Sequence, residues 1–446
     1  MAIPGRYRAR CAYHFTALDN LDSIIDFGLL ATNEKVKSNI NHRDVANPDI
    51  QHRRNTMVVP ASNGLCVHDF VPFYFAMRTS MLLAVLNQKN VDQKNILYFE
   101  VSLLSLESRQ DVFFTDASAN TEDPPGFYNL KDAEFLKEID WELVDSNKWK
   151  FEGRQKQRRM AELLIPTSVD ISSLVRIIAY DAKTASDVRA VLKRKGLSGP
   201  AVVANSFGYF FEPASNWADS LITGPIELRG LFLKTVQSVQ NSRRDNTKYD
   251  SLESAVLAIR ENFCAIAELE GVDELRADYG PHKDTVGVHS RRVASLIRAS
   301  ANFNCLDPQN KLLLELAAYL HDIGKGPKSR WPDNFMDSAD NNHARKSLPM
   351  LERILTQDIG GISDEMIRRL VMLVTYDDLL GDIAARGRDR DQLNGLIESQ
   401  LDLDMLVELS KADIGSISSN WLHDVEAKID DIRNEFVANF RPVRSL

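Results

Sequence analysis

At 446 residues, with 44% hydrophobic and 26% charged residues, the chain is long for one core and ordinary in composition for a globular protein. No apolar run approaches the roughly 20 residues that span a bilayer, the start MAIPGRYRAR lacks a leader's apolar stretch, and the four cysteines form no CxxC pair. A helical membrane protein, a disulfide framework and a thiolate zinc site are thereby excluded, and a reducing cytoplasm is the expected setting.

The net charge of −9 is unevenly spread: residues 1–230 carry 27 Lys+Arg against 28 Asp+Glu, and residues 231–446 carry 27 against 35. A nucleic-acid binder can have such a balance, because phosphates respond to the local field.

In chain order, YHFTALDNL (13–21) places a histidine and a hydroxyl at the end of a strand, and residues 16–27 read as a helix with Thr16 as N-cap and Gly28 at its C-terminal turn. Short β-like runs follow at 96–101, 112–114, 161–165, 176–180, 201–204 and 209–211, separated by long loops, notably 31–71 and 116–128. Loops of that length in a compact domain are commonly functional. Beyond about residue 235 the apolar spacing becomes helical almost throughout. The expected organisation is an α+β domain over 1–230, a helical connector over 231–275 and an all-α domain over 276–446.

In the second half, His289 opens an amphipathic helix, His321–Asp322 end another in LHDIGKG, and Asp413 lies near a third. One histidine, a His–Asp pair and a distant aspartate suffice to hold a divalent ion with positions open to water. Such an ion activates that water and polarises a phosphoryl oxygen, and Lys325 could neutralise a leaving phosphate. These residues resemble the HD-domain phosphohydrolase superfamily, over roughly residues 280–415. NNHARKS around His343 is similar to the uridylyl-removing members and suggests a second metal position. Where such domains often carry adjacent histidines, however, this chain reads VTYDDLLGD, with Tyr376 and Asp377. The HD dipeptide at His423–Asp424 reads as an accident of an amphipathic tail helix.

In the first half no GxGxxG or GxxxxGK[ST] cradle occurs. Glu162 instead stands out in the otherwise apolar strand RRMAELLIP, where an ionised carboxylate costs several kcal/mol unless paired. Facing the oxocarbenium-like ribose formed when a nicotinamide N-glycosidic bond breaks, it would lower that barrier electrostatically. A solvent-facing Glu162 paired with Arg158 or Arg159 is the alternative. The loop IQHRR (50–54) brings two arginines together, VPFYFAMRTSML sets Arg78 among aromatics, and NKWKFEGRQKQRR (147–159) combines Lys148, Lys150, Arg154 and Arg158 with Trp149 and Phe151. Phosphate attraction and stacking surfaces in one run suit single-stranded DNA, whose unstacked base enters a pocket most easily.

Taken together, YHFTALDNL, IQHRR, VPFYFAMRTSML, FFTD, RRMAELLIP and VVANSFGYFF resemble the DarT-type DNA ADP-ribosyltransferase toxins over roughly residues 11–212. The resemblance implies a mono-ADP-ribosyltransferase fold followed by an all-α HD domain, with NAD as ADP-ribose donor and thymine or guanine in single-stranded DNA as acceptor. It implies Glu162 and Arg54 as catalytic residues, and His14, Thr16, Asn20 and Arg54 as NAD contacts. A toxin or phage-defence role and a macrodomain antitoxin are implied with it. The competing reading makes the HD domain the working enzyme, a metal-dependent nucleotide phosphohydrolase, and the first half a nucleic-acid-binding module.

Overall fold

In the computed structural model the described residues are 2–43, 48–121, 123–148, 151–204, 208–211, 222–244 and 246–439. Trp149 and Lys150 of the expected DNA-binding run lie outside them. The chain divides into two compact units, Met1–Ala218 and Asp219–Leu446.

The first unit is built on an eight-stranded sheet: β1 (Cys11–Ala17), β2 (Phe70–Tyr74), β3 (Ile96–Ser102), β4 (Phe113–Thr115), β5 (Phe127–Asn129), β6 (Glu162–Pro166), β7 (Arg176–Ala179) and β8 (Ala201–Ala204). Their spatial order is β8-β7-β3-β1-β2-β6-β4-β5. Among the described strands of this sheet, only β7 and β8 run parallel. The β-branched and aromatic run ILYFEVS is buried along six of its seven residues, as expected of a central strand.

The ladder between β1 and β2 is reduced to the single pair Tyr13↔Tyr74, whereas β1 pairs with β3 along its whole length. Pro72 explains the gap. It has no N–H to give, and its carbonyl accepts from the His14 ring at 2.8 Å. The sheet therefore opens beside His14, and the site lies at that opening.

Several local expectations need revision. Thr16 lies within β1 and does not cap a helix; the helix proper is α1 (Leu21–Phe27), ended by Gly28 at φ 78°. Residues 209–211 form no strand: Tyr209 and Phe210 are buried against Tyr13, Tyr98 and Tyr180, and the Phe211 amide donates to Gln93. IQHRR belongs to a helix, α2 (Pro48–Thr56), so its arginines diverge; Arg54 is buried and Arg53 exposed.

The second unit is helical. Its first long helix, α3 (Pro225–Ser242), sends Leu228, Phe232, Val236 and Val239 into the same core as the later helices. The unit thus begins ahead of the boundary expected at 230, and segment 231–275 contributes core instead of connecting, because these helices bury one apolar face each. Around it stand α4 (Val286–Ala299), α5 (Pro308–Leu320), α6 (His343–Arg353), α7 (Asp364–Thr375), α8 (Gln400–Ile417) and α9 (Ser419–Asn439). Helix α5 starts with Asp307 as N-cap and Pro308 at its first position, and residues Leu313–Leu320 are all buried. That apolar run carries His321 and Asp322 into the interior. Gly324 completes the placement: a Cβ there would lie 2.0 Å from the His343 carbonyl, so only glycine lets this turn rest on α6.

Candidate active sites

In the first unit, strand pairing sets Glu162 opposite Tyr74, and helix α2 brings Arg54 over both. The Glu162 carboxylate is 0% exposed. Arg54 meets it with two parallel bonds, Nη1–Oε1 at 3.0 Å and Nη2–Oε2 at 2.9 Å. The Ala119 amide donates to Oε1 at 2.9 Å, and Ser118 Oγ approaches the same atom at 3.4 Å. The solvent-facing alternative for Glu162 is overturned: Arg158 pairs with Asp140, and Arg159 donates to the Leu143, Val144 and Arg78 carbonyls. Because Oε1 receives both Arg54 and the Ala119 amide and Oε2 receives Arg54 alone, Oε2 keeps capacity for a hydroxyl. A cleft opens beside the pair, lined by His14, Thr16, Gln51, Tyr74 and Asn120 among others.

Burial lowers the His14 pKa to about 4, despite the Pro72 carbonyl that favours the charged form. The ring is therefore neutral, with Nδ1–H spent on Pro72 and Nε2 an acceptor. Asn20 reaches Thr16 Oγ1 at 2.8 Å, and its carbonyl accepts the Arg43 amide at 2.7 Å. Thr16 lines the cleft, whereas Asn20 braces it from behind. Burial, then Glu162, raises the Tyr74 pKa, so its phenol stays protonated.

In the second unit three imidazoles and three carboxylates converge. His289 Nε2 lies 3.1 Å from His321 Nε2 and 2.9 Å from Asp413 Oδ1. Asp322 Oδ2 stands 3.5 Å from both histidines. His343 Nε2 lies 3.5 Å from Asp377 Oδ2, and Asp322, His343 and Asp377 form a second potential ligand group. The far side of each ring is fixed. His321 Nδ1 donates to the Ala318 carbonyl and His343 Nδ1 to the Asp340 carbonyl. Ser416 gives its one hydroxyl proton to the Asp413 carbonyl, so His289 Nδ1 must donate to Ser416 Oγ.

All three Nε2 atoms thus face inward as lone pairs, two of them 3.1 Å apart. Such an arrangement requires a shared cation, either a proton or a metal ion. Without an ion, protons fill the role. Burial opposes charge on His321, but Asp322 and Asp413 outweigh it and raise its pKa to about 9; for His343, Asp377 and Asp378 do the same, to about 10. Among the described residues, the buried atoms His343 Nε2 and Asp377 Oδ1 have no hydrogen-bond partner. The donor set fits a pair of divalent ions that share Asp322. Lys325 Nζ sits 2.7 Å from Asp322 and limits the accumulated negative charge.

Comparison with known proteins follows the same division. Residues 13–211 match the model for the ssDNA thymidine ADP-ribosyltransferase DarT, and residues 286–390 match the HD domain. A DNA ADP-ribosyl transferase of Thermus sp. (strain 2.9) is 30% identical over 187 residues, which are 41% of this chain and 87% of that protein. The chain belongs to the DNA ADP-ribosyl transferase family. A transferase–DNA ADP-ribosyl glycohydrolase fusion protein of Thermosipho africanus (strain H17ap60334) is 27% identical, over 46% of this chain and 50% of its own. Among solved structures, Thermus sp. 2.9 DarT in complex with ADP-ribosylated ssDNA aligns at 27% identity and a TM-score of 0.42, covering 47% of this chain and 99% of that one.

Within the DarT-family unit, the basic residues are more dispersed than the run suggests. Lys148 and Arg154 are exposed, whereas Arg158 is half-buried and 3.7 Å from Asp140. Arg78 lies on the Phe211 ring, 6.0 Å from its centroid. In the HD unit, His289, His321, Asp322, Asp413 and His343 are gathered as a set. His423 and Asp424 are exposed on α9. Asp377 is a candidate ligand that the motif does not signal; in VTYDDLLGD, Tyr376 enters the core against Phe232 and the next residue turns its carboxylate to the cluster. No described helix is long and apolar enough to cross a membrane.

Proposed function

We propose that the first unit transfers ADP-ribose from NAD to a base of single-stranded DNA, thymine or guanine, with release of nicotinamide. The observation that carries this reading is the fully buried Glu162, held by Arg54, which itself lines a cleft together with His14 and Thr16. The glycosidic C–N bond of NAD breaks with its electron pair leaving on nicotinamide, a base nitrogen bonds to the ribose carbon, and the proton of that nitrogen passes to solvent or a nearby base. Glu162 Oε2 accepts a ribose hydroxyl and stabilises the positive charge that develops on the sugar. Arg54 fixes the carboxylate and offers its outer edge to the donor's phosphates or ribose. Exposed Lys148 and Arg154, together with Arg78 and Arg158, attract the strand's phosphates.

Such a modification blocks templated copying, which supports a toxin or phage-defence role in the cytoplasm. The relative in which transferase and glycohydrolase are fused supports an antitoxin of the ADP-ribose-removing macrodomain class. Incubation with NAD and oligonucleotides of varied base content, followed by mass analysis, should leave one ADP-ribose per modified strand on one base type. Unmodified oligonucleotides from wild-type protein would refute the reading.

A second reading concerns the HD unit alone. His289, His321, Asp322 and Asp413 would hold one divalent ion, and Asp322, His343 and Asp377 a second. When bound, such ions activate water and polarise a phosphoryl oxygen. Lys325 is placed to meet the anionic oxygen of a leaving group. The unit would then be a phosphohydrolase or a nucleotide-responsive regulator of the transferase. Loss of toxicity in Glu162→Ala, with enhanced toxicity in Asp322→Ala, would mark it as a restraint.

A further inference from the structure

Asparagine before a helix ordinarily caps it, its side chain accepting a backbone N–H of the first turn. Asn342 stands at that position before α6 and makes no such bond. Its Oδ1 instead accepts the Thr223 amide at 3.1 Å and the Thr223 hydroxyl at 2.8 Å. Thr223 and Asn342 are both buried, 119 residues apart in sequence. Thr223 belongs to the strand-less stretch that leads into α3, at the beginning of the second unit.

The bond continues toward the cluster. The Asn342 amide donates to Asp340 Oδ1 at 3.1 Å, and Lys346 holds Asp340 Oδ2 at 2.9 Å. Arg330 also pairs with that carboxylate. The Asp340 carbonyl takes the His343 Nδ1 proton at 2.9 Å, which sets the ring's tautomer and aim. Arg345, on the same helix, reaches Thr223 Oγ1 at 3.4 Å and Glu227 at 3.0 Å. The residues of the first ion position are held by other means: His289 by Ser416, His321 by the Ala318 carbonyl and Asp322 by Lys325.

We infer that Thr223 and Asn342 are positioning residues for His343, so that the segment ahead of α3 sets occupancy of the second ion position and leaves the first alone. This rests on the two-ion reading of the HD unit.

The test is Mn²⁺ binding to the full-length protein by calorimetry, with electron paramagnetic resonance to tell a coupled ion pair from a single ion. Wild type should bind two ions, and His343→Ala one. Asn342→Ala should weaken the second ion tenfold or more, convert the coupled signal to that of an isolated ion and leave the first affinity unchanged. Thr223→Val should do the same to a smaller degree, and Thr223→Ser should restore wild-type behaviour. Two ions at unchanged affinity in both Asn342→Ala and Thr223→Val would overturn the inference while sparing the two-ion reading. Equal loss of both ions in Thr223→Val would also overturn it, as a merely structural role. A wild type indistinguishable from His343→Ala would refute the two-ion reading and this inference with it.

Discussion

The two units solve the problem of buried carboxylates in opposite ways. Glu162 is neutralised within its own unit: one guanidinium and one amide satisfy it, and the cleft beside it asks only for an organic ligand. The HD cluster is left unbalanced, with Asp322, Asp377 and Asp413 around three inward-facing imidazoles and Lys325 the nearby cation. A self-contained ion pair suits chemistry in which charge develops on the substrate, whereas an unbalanced cluster suits an imported cation.

The largest effect is expected at Glu162. Glu162→Gln keeps the shape but removes the charge proposed to stabilise the ribose, and transfer to DNA should fall by on the order of 10³-fold or more. Mass analysis of the oligonucleotide and nicotinamide release would both report it. Arg54 would be left buried without its partner, so some loss of stability should accompany the change, less than the roughly 3–5 kcal/mol of a fully enclosed pair because Arg54 borders a cleft. Full transfer by Glu162→Gln would end the idea that this ion pair is catalytic.

Next comes the cation itself. Chelation should lower hydrogen-exchange protection around residues 321–325 and 343–347 by roughly 2–4 kcal/mol, the stabilisation given by an ion at 100 to 1,000 times its dissociation constant. Strands of the first unit should not respond. Asp377→Asn should reduce that response, because it removes one of the carboxylates of the second potential ligand group. A cluster unaffected by chelation, or an equal response in both proteins, would break the contrast between the units.

How far the sequence discloses these sites depends on how local their geometry is. The His–Asp dipeptide at the end of an apolar helix and the lone glutamate in an apolar strand are legible because one element delivers each. Arg54 was legible as a residue but not as a helix, since PDIQHRRNT carries no apolar stripe and its fold is imposed by tertiary packing. Asp377 is hard to read from sequence because a carboxylate stands where the motif carries histidine. Ser416 and Asn342 show nothing in sequence at all; their roles rest on hydrogen bonds spanning 127 and 119 residues. The opening of the sheet at Pro72 is intermediate: a proline inside FVPFY signals an interrupted ladder, but not which neighbour is lost.

A smaller effect is expected for the proposed strand-binding residues, which separate affinity from chemistry. Replacing Lys148, Arg154 and Arg158 by alanine should weaken oligonucleotide binding about tenfold at low salt and reduce the slope of log K against log salt by about one for each phosphate no longer neutralised. Arg158 should contribute least, being already near Asp140. NAD binding should not change; if it does, these residues belong to the donor cleft and not to the acceptor path.

The smallest effect is also the most specific, because histidines in the two units titrate with opposite sign. His14 is held neutral, its pKa lowered to about 4 by burial, so the unfolded chain takes up a proton that the folded chain refuses. The stability it contributes is present above about pH 6.5 and is lost as pH falls toward 4. His321 and His343 are raised to about 9 and about 10 when no ion is bound. Their contribution is present below about pH 6.5 and is lost as pH rises through those values. In chelator, exchange protection should therefore decline toward acid in β1 and β2 and toward alkali around α5 and α6. His14→Gln should flatten the first trend alone. Added metal should invert the second, because coordination needs the deprotonated imidazole and tightens as pH rises. Parallel pH trends in the two units would mean that the HD histidines are ordinary buried residues and not ligands waiting for a cation.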